Sequence, residues 1–281
     1  MRYIDLHTHS TASDGTYTPS ELVRYASEKE LAAIALTDHD TLDGVAEAKA
    51  AGEKYGVRVI AGAEFSTVYE KISLHIVGLF LPENSKRISE RLEYMKNARL
   101  TRNEKMLANL REEGIEITME ELKENFPDRI ISRAHIAQLM QKKGCVGSKN
   151  EAFDRYIGDK CKAYVEKESL TPEETVGLIK EAGGVSVWAH PLLCKLSDKN
   201  TEKMAERLKT YGLDAIEAYY PTHKPADTKY IKTIAQKYGL GLSGGSDFHG
   251  SIKPGLDLGT GYGDLAVPYE VLENIENKLK K

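Results

Sequence analysis

The sequence predicts an α/β fold, a β/α barrel that carries a helical insertion. Three observations lead there. Short apolar runs alternate with amphipathic stretches through the first 80 residues and again after residue 170, the pattern of a sheet covered by helices. The apolar runs repeatedly end on histidine or carboxylate residues, which in a barrel converge on one mouth and in an open sheet are strung along an edge. Residues that share metal ions must converge, so the barrel is favoured. Between the two alternating regions, residues 83–165 contain few strand-like runs and many charged residues at helical spacing.

Taken in order, Tyr3 to Leu6 is a first short strand. Thr18-Pro19-Ser20-Glu21 is a capping box with proline at the first helical position, and Leu22, Val23 and Ala26 follow at helical spacing. Ala32 to Thr37 is a buried-type strand, Asp43 to Tyr55 an alanine-rich helix, and Val57 to Ala61 and Leu74 to Leu81 are further strands. The unit returns at Thr171-Pro172-Glu173-Glu174, another capping box, whose helix stops at Gly183-Gly184. Val185 to Trp188 is a strand leading to His190, and Asp214 to Ala218 and Leu240 to Ser243 add two more. Arg87, Arg91, Arg99, Arg102, Arg111, Arg129 and Arg133 make the middle stretch arginine-rich. The expected division is therefore a metal-binding barrel from residues 1–82 and 166–281, with 83–165 a helical insertion capping the active site.

Composition narrows the classes. The net charge of −4, from 39 basic and 43 acidic residues, argues against a wholesale nucleic-acid binder, and no stable duplex-DNA binding is expected. Cys145, Cys161 and Cys194 are widely spaced and form no C-x-x-C pair, so neither a disulfide framework nor a cysteine zinc site is indicated. No apolar run approaches a membrane span, and the chain opens on a strand without a signal-peptide pattern. A cytoplasmic enzyme with no membrane partner is expected; oligomeric state is left open.

Six of the eight histidines sit among carboxylates or at strand ends. Neutral imidazole with carboxylate is the ligand set of zinc, manganese and iron. His7 and His9 point the same way if the first strand continues through them. Each feature has a plainer explanation alone: a local turn for Asp14, a structural network of His39 with Asp38 or Asp40, a helix-opening carboxylate for Glu64, a core histidine for His75, a strand-end residue for His190. The glycines before Asp247 and His249 leave room beside a site. Recurrence of such clusters in the order of one barrel mouth makes a multinuclear metal site the leading expectation. His135 opens a helix capped by Ser132, where an exposed helical residue is the plain alternative. His223 lies in a loop that would overhang the mouth, which favours substrate contact, with an ordinary loop histidine as the plain alternative. Cys194 is a bystander.

In combination, His7-Thr8-His9-Ser10, Thr37-Asp38-His39-Asp40, Ala189-His190-Pro191 and Asp247-Phe248-His249 resemble the motifs of the PHP superfamily, named for polymerase and histidinol phosphatase domains. The resemblance covers nearly the whole chain. It implies a distorted seven-stranded β/α barrel and three divalent ions, manganese, iron or zinc. Carried over, one ion takes His7, His9, Glu64 and Asp247; a second takes Glu64, His75 and His190; a third takes Asp14, His39 and His249. With its insertion the chain is similar to the small bacterial phosphoesterases of that superfamily, which act on nucleoside 3′,5′-bisphosphates and short 5′-phosphorylated RNA. Ser132-Arg133-Ala134-His135 matches the insertion motif that helps hold substrate there, so Arg133 and His135 are expected to bind it.

The expected chemistry is attack of a metal-activated hydroxide on phosphorus, with Glu64 bridging ions and His223 positioning or protonating the leaving group. The partner is then a small phosphorylated substrate, a nucleotide or short oligonucleotide. Histidinol-phosphate phosphatases share the metal ligands and remain the alternative. Binuclear amidohydrolases often bridge their metals with a carboxylated lysine, whereas the candidate bridge here is Glu64, which disfavours amide hydrolysis. A non-catalytic, metal-stabilised binding module would instead close its coordination shells.

Overall fold

The computed structural model describes residues 2–127, 131–166 and 169–279; Arg129, one of the arginines counted above, lies outside them. The chain divides into two compact units, Met1–Ser89 with Ser169–Lys281, and Glu90–Glu168. In chain order the elements are β1 (Tyr3–Thr8), α1 (Pro19–Glu28), β2 (Ala33–Leu36), α2 (Val45–Tyr55), β3 (Arg58–Tyr69), β4 (Ile72–Leu79), α3 (Lys86–Glu112), α4 (Met119–Asn125), α5 (Arg133–Lys142) and α6 (Lys149–Ala152). They continue with α7 (Pro172–Glu181), β5 (Val185–Trp188), α8 (Asp198–Tyr211), β6 (Ala215–Tyr219), α9 (Pro225–Tyr238), β7 (Gly241–Gly244), β8 (Val267–Pro268) and α10 (Tyr269–Leu279).

The first unit is a distorted, nearly closed β/α barrel. Its sheet runs β7-β6-β5-β4-β3-β2-β1-β8. Among the described residues the sheet has eight strands and not seven, because the two-residue β8 pairs antiparallel with the start of β1. Both capping boxes form: Thr18 Oγ1 accepts from Glu21 N–H at 3.2 Å while Glu21 Oε2 accepts from Thr18 N–H at 2.8 Å, and Thr171 and Glu174 repeat the exchange. Strand parity separates two cores. Ile34 and Leu36 pack with Leu22, Val23 and Ala26 of α1 and with Val45 and Ala48 of α2. The alternate residues Ala33 and Ala35 join Ile4, Leu6, Val77, Leu79, Val185 and Val187, together with Val271, Leu272 and Ile275 of α10.

The sheet is not uniformly parallel. β3 extends through Tyr69 and turns directly into β4, which is antiparallel to both β3 and β5. The turn residues Glu70 and Lys71 both have positive φ, 47° and 73°, the primed geometry that matches strand twist. Glu-Lys is not a usual sequence for that turn, so the sequence is read as a strand only as far as Ala61. Gly62 interrupts the apolar run because a Cβ there would lie 2.7 Å from the carbonyl oxygen of Gly78 across the pair.

A glycine also closes the barrel. A Cβ on Gly245 would lie 2.4 Å from the backbone nitrogen of His7. Its absence lets the chain after β7 rise beside β1, where Asp247 N–H donates to His7 O at 2.8 Å and His9 N–H donates to Phe248 O at 2.9 Å.

The second unit is helical among its described residues. α3, α4, α5 and α6, with a π-helical turn at Phe153–Ile157, enclose Met106, Leu110, Ile117, Leu122, Phe126, Ile136, Met140 and Ile157. Across the described residues, no helix is long and apolar enough to cross a membrane.

Candidate metal centre

The centre is assembled where β1, β2, β5 and β7 end and at the middle of β3, and β4 reaches it in the opposite sense. Because β4 is antiparallel, His75 stands in its first half, paired in register with Ser66. Glu64 lies inside β3, not at a helix start, and forms a lone β-bridge with His39 just beyond β2.

Glu64 is almost wholly buried, and its two oxygens divide five imidazoles between them. Oε1 lies 2.7 Å from His75 Nδ1 and 3.0 Å from His190 Nε2. Oε2 lies 3.1 Å from His39 Nδ1, 3.2 Å from His9 Nε2 and 3.4 Å from His7 Nε2. Asp247 Oδ1 is 3.3 Å from both His9 Nε2 and His249 Nδ1. Asp14 Oδ1 is 3.3 Å from His249 Nε2, and its Oδ2 is 3.9 Å from His39 Nε2. All nine residues proposed as ligands from the sequence are thus in one place. They fall into overlapping groups whose ligand atoms lie within 4.8 Å of one another: His9, Asp14, His39 and His249; His7, His9 and Asp247; His7, Glu64 and His190; His39, Glu64 and His75.

This donor set fits divalent cations. His7 Nε2, His9 Nε2 and His39 Nδ1, each within 3.4 Å of Glu64, are buried without a hydrogen-bond partner. Buried polar atoms are normally satisfied, and a shared cation would satisfy these. The electrostatics agree. Burial, opposed by Glu64 and Asp14, lowers His39 to about 3, so its ring is neutral. Burial also favours neutral His9, but the adjacent carboxylates of Asp247 and Glu64 outweigh it and lift the ring to about 9. Burial works against ionising Glu64, Asp14 and Asp247, yet the surrounding imidazoles, joined at Asp247 by the Lys253 ammonium, hold all three well below the usual carboxylate range. His190 and Asp247 take left-handed backbone, φ 29° and 52°, a strain common where side chains are forced into a site.

Several residues that position the ligands escaped the sequence reading. Glu217 Oε2 accepts from His190 N–H at 2.7 Å, and its Oε1 lies 3.2 Å from His7 Nδ1, turning His7 Nε2 to the centre. A carboxylate in the apolar run Asp214 to Ala218 was the available signal. Asp5 accepts from the backbone N–H groups of His7, Ser246 and Gly259; burial nevertheless raises its carboxyl to about 6. Of the aspartates flanking His39, Asp38 accepts from Ser10 N–H and Oγ–H, and Asp40 accepts from Ser66 N–H. Tyr220 and Lys253 both bind Asp247.

His223 lies beside the ligands and not among them. Its ring stands 5.4 Å from that of Tyr220, which in turn is 5.5 Å from that of His190. Its Nδ1 is 3.1 Å from Ala218 O, and Nε2 is buried without a hydrogen-bond partner. Burial raises the Cys194 thiol to about 11, so no thiolate nucleophile is present there.

Arg133 and His135 belong to the second unit. Arg133 Nη1 donates to Asp159 at 2.9 Å and to Ile157 O at 3.4 Å, and the guanidinium lies over Tyr164. His135 is buried, not exposed; its Nδ1 accepts from Ser132 N–H at 3.0 Å and its ring meets Phe126. Arg102 stands out in the sequence only as one member of the arginine-rich stretch. It is 7% exposed and close to Arg99 and Arg133. Burial, then the repulsion of those two guanidiniums, lowers it to about 9, and no carboxylate among the described residues compensates it.

The profile of the PHP domain family matches residues 5–211. A 5′-3′ exoribonuclease of Haemophilus influenzae is 34% identical over 245 residues, covering 87% of this chain and 89% of that one. A 3′,5′-nucleoside bisphosphate phosphatase of Chromobacterium violaceum is 33% identical over 260 residues, covering 92% and 91%. Among solved structures, one from Chromobacterium violaceum, described as an amidohydrolase with bound sulfate and no metal, superposes with a TM-score of 0.86 at 32% identity, covering 99% of this chain and 96% of that one.

Proposed function

The chain belongs to the PHP domain family and is a metal-dependent phosphoesterase, and from that premise we propose that it hydrolyses nucleoside 3′,5′-bisphosphates and short 5′-phosphorylated RNA at a centre of three divalent ions. One observation carries this most: Glu64 sets one oxygen towards His75 and His190 and the other towards His7, His9 and His39. A carboxylate so placed is suited to bridging cations. His7, His9, Glu64 and Asp247 would hold one ion, Glu64, His75 and His190 a second, and Asp14, His39 and His249 a third.

Bound divalent ions supply an acidified water and offset charge on the phosphoryl oxygens. The remaining work falls to the protein. His223 donates from Nδ1 to Ala218 O, which leaves Nε2 to take up a proton and deliver it to the departing oxygen. Arg133, with Arg102 beside it, would bind the phosphate that is not cleaved, since the buried Arg102 guanidinium meets no carboxylate among the described residues and is an anion site in waiting. His135 contributes by fixing the first turn of α5, from which Arg133 projects.

A panel of phosphate esters with manganese-loaded protein tests the proposal. Adenosine 3′,5′-bisphosphate should have the highest kcat/KM among monoesters. Preference for histidinol phosphate over every nucleotide would overturn the substrate assignment while leaving the metal centre in place.

A further inference from the structure

Next to the metal centre, and wholly within the first unit, is a cavity of about 470 Å3. It lies between the loop that leaves β6, the first two turns of α9 and residues 264–266. A volume of this size suits a nucleotide. Tyr220 is a wall shared with the metal centre, for it lines the cavity while its hydroxyl rests on Asp247 and its ring on His190. His223 is the next residue of the wall, and its buried Nε2 lacks a hydrogen-bond partner. Lys229 and Lys232 enter from one face of α9. Lys232 Nζ stands 4.4 Å over the ring of Tyr219, and among the described residues neither lysine forms an ion pair. The one acid of the lining, Asp264, is exposed and leaves the cavity with a net positive charge.

The chemistry of the proposed substrates says what such a cavity would hold. In a nucleoside 3′,5′-bisphosphate the oxygen of water bonds to the 3′-phosphorus and the phosphorus–O3′ bond breaks. O3′ leaves with the electron pair and takes a proton, while the attacking water gives one up. In RNA the same displacement at the first phosphodiester breaks the same bond and leaves the phosphate on O5′ of the next nucleotide. Phosphorus and leaving oxygen are unchanged. The added requirement is room, beside the metals, for the nucleotide attached through O5′.

Resting on the nucleotide phosphoesterase reading above, we infer that the cavity behind Tyr220 is the subsite for that downstream nucleotide of RNA. Lys229 and Lys232 meet its following phosphate. The subsite separates a nuclease from a simple bisphosphate phosphatase without any change at the metals.

The test compares wild type, the double variant Lys229→Ala/Lys232→Ala and Ala266→Trp, each loaded with manganese, on adenosine 3′,5′-bisphosphate and on a 5′-phosphorylated trinucleotide. Ala266→Trp narrows the cavity without altering charge and stands at an exposed position, so it folds independently of any loss the lysines cause. The ratio of kcat/KM, trinucleotide over bisphosphate, should fall about tenfold or more in both variants. In the lysine variant the salt dependence for RNA should also flatten, by about 0.7 in log–log slope for one lost phosphate contact on a single strand. A ratio within twofold of wild type in both variants overturns the inference, as does a wild type that cleaves the bisphosphate and no RNA. A wild type that cleaves neither removes the substrate reading itself and the inference with it.

Discussion

Tyr220 donates its phenolic hydrogen to Asp247 Oδ2 at 2.8 Å. Lys253 Nζ meets the same oxygen at 2.6 Å, so Asp247 is left with Oδ1 alone to offer to His7, His9 and His249. The carboxylate is thereby fixed as a one-oxygen ligand. Tyr220→Phe keeps the ring and removes this tether. Metal affinity should fall about tenfold, at the lower end of what outer-shell partners contribute. A manganese titration with unchanged midpoint would show that Asp247 needs no such support.

Glu64→Gln keeps the shape of the bridge and removes its charge. Turnover at saturating manganese should fall about 10²-fold or more, with bound metal reduced as well. Activity within twofold of wild type would be incompatible with a bridging role.

Proton release should accompany metal binding. In the metal-free protein His9 is raised from 6.5 to about 9. A raised folded-state value means that its proton stabilises the fold fully below pH 6.5 and ceases to do so as pH rises through about 9. The metal-free Tm should therefore decline across that window. At about pH 7.5 a cation displaces this proton, so calorimetry in buffers of differing ionisation enthalpy should find at least one proton released per protein. No net release would mean that His9 is already neutral.

Arg133→Ala should lower kcat/KM on a nucleoside bisphosphate by roughly 10- to 150-fold, the scale of a charged hydrogen bond to phosphate, and far less on a small aryl phosphate. Equal losses on both would leave Arg133 as a structural residue tied to Asp159. Arg102→Met should separate stability from function in the opposite direction. Removing a buried charge that lacks a carboxylate should raise Tm, by about 2–4 °C per kcal/mol relieved, while weakening the bisphosphate substrate. A lower Tm would show that the guanidinium is compensated in the folded protein.

The residues that carry local instructions were readable from the chain. Thr18 and Thr171 each announce a helix because threonine, proline and glutamate at those spacings have one good use. His7, His9, Asp247 and His249 were readable as candidates because strand periodicity and glycine-flanked turns concentrate them. What stayed hidden depended on contacts between distant segments. The Glu70-Lys71 turn adopts backbone that its residues do not advertise, so the reversed direction of β4 and the placing of His75 could not be seen. Tyr220 and Lys253 act on ligands from other strands or loops, and nothing local marks them; Glu217 is marked only as a carboxylate within an apolar run. Arg102 is informative only through its burial.

The number of ions around Glu64 is decided most directly by anomalous scattering. Crystals of manganese-loaded protein, measured on both sides of the manganese edge, should give three peaks around Glu64, one bounded by His7, His9 and Asp247, one by His75 and His190, and one by Asp14, His39 and His249. A single fully four-coordinate peak, with Asp14 and His249 turned away from it, would contradict a three-ion centre.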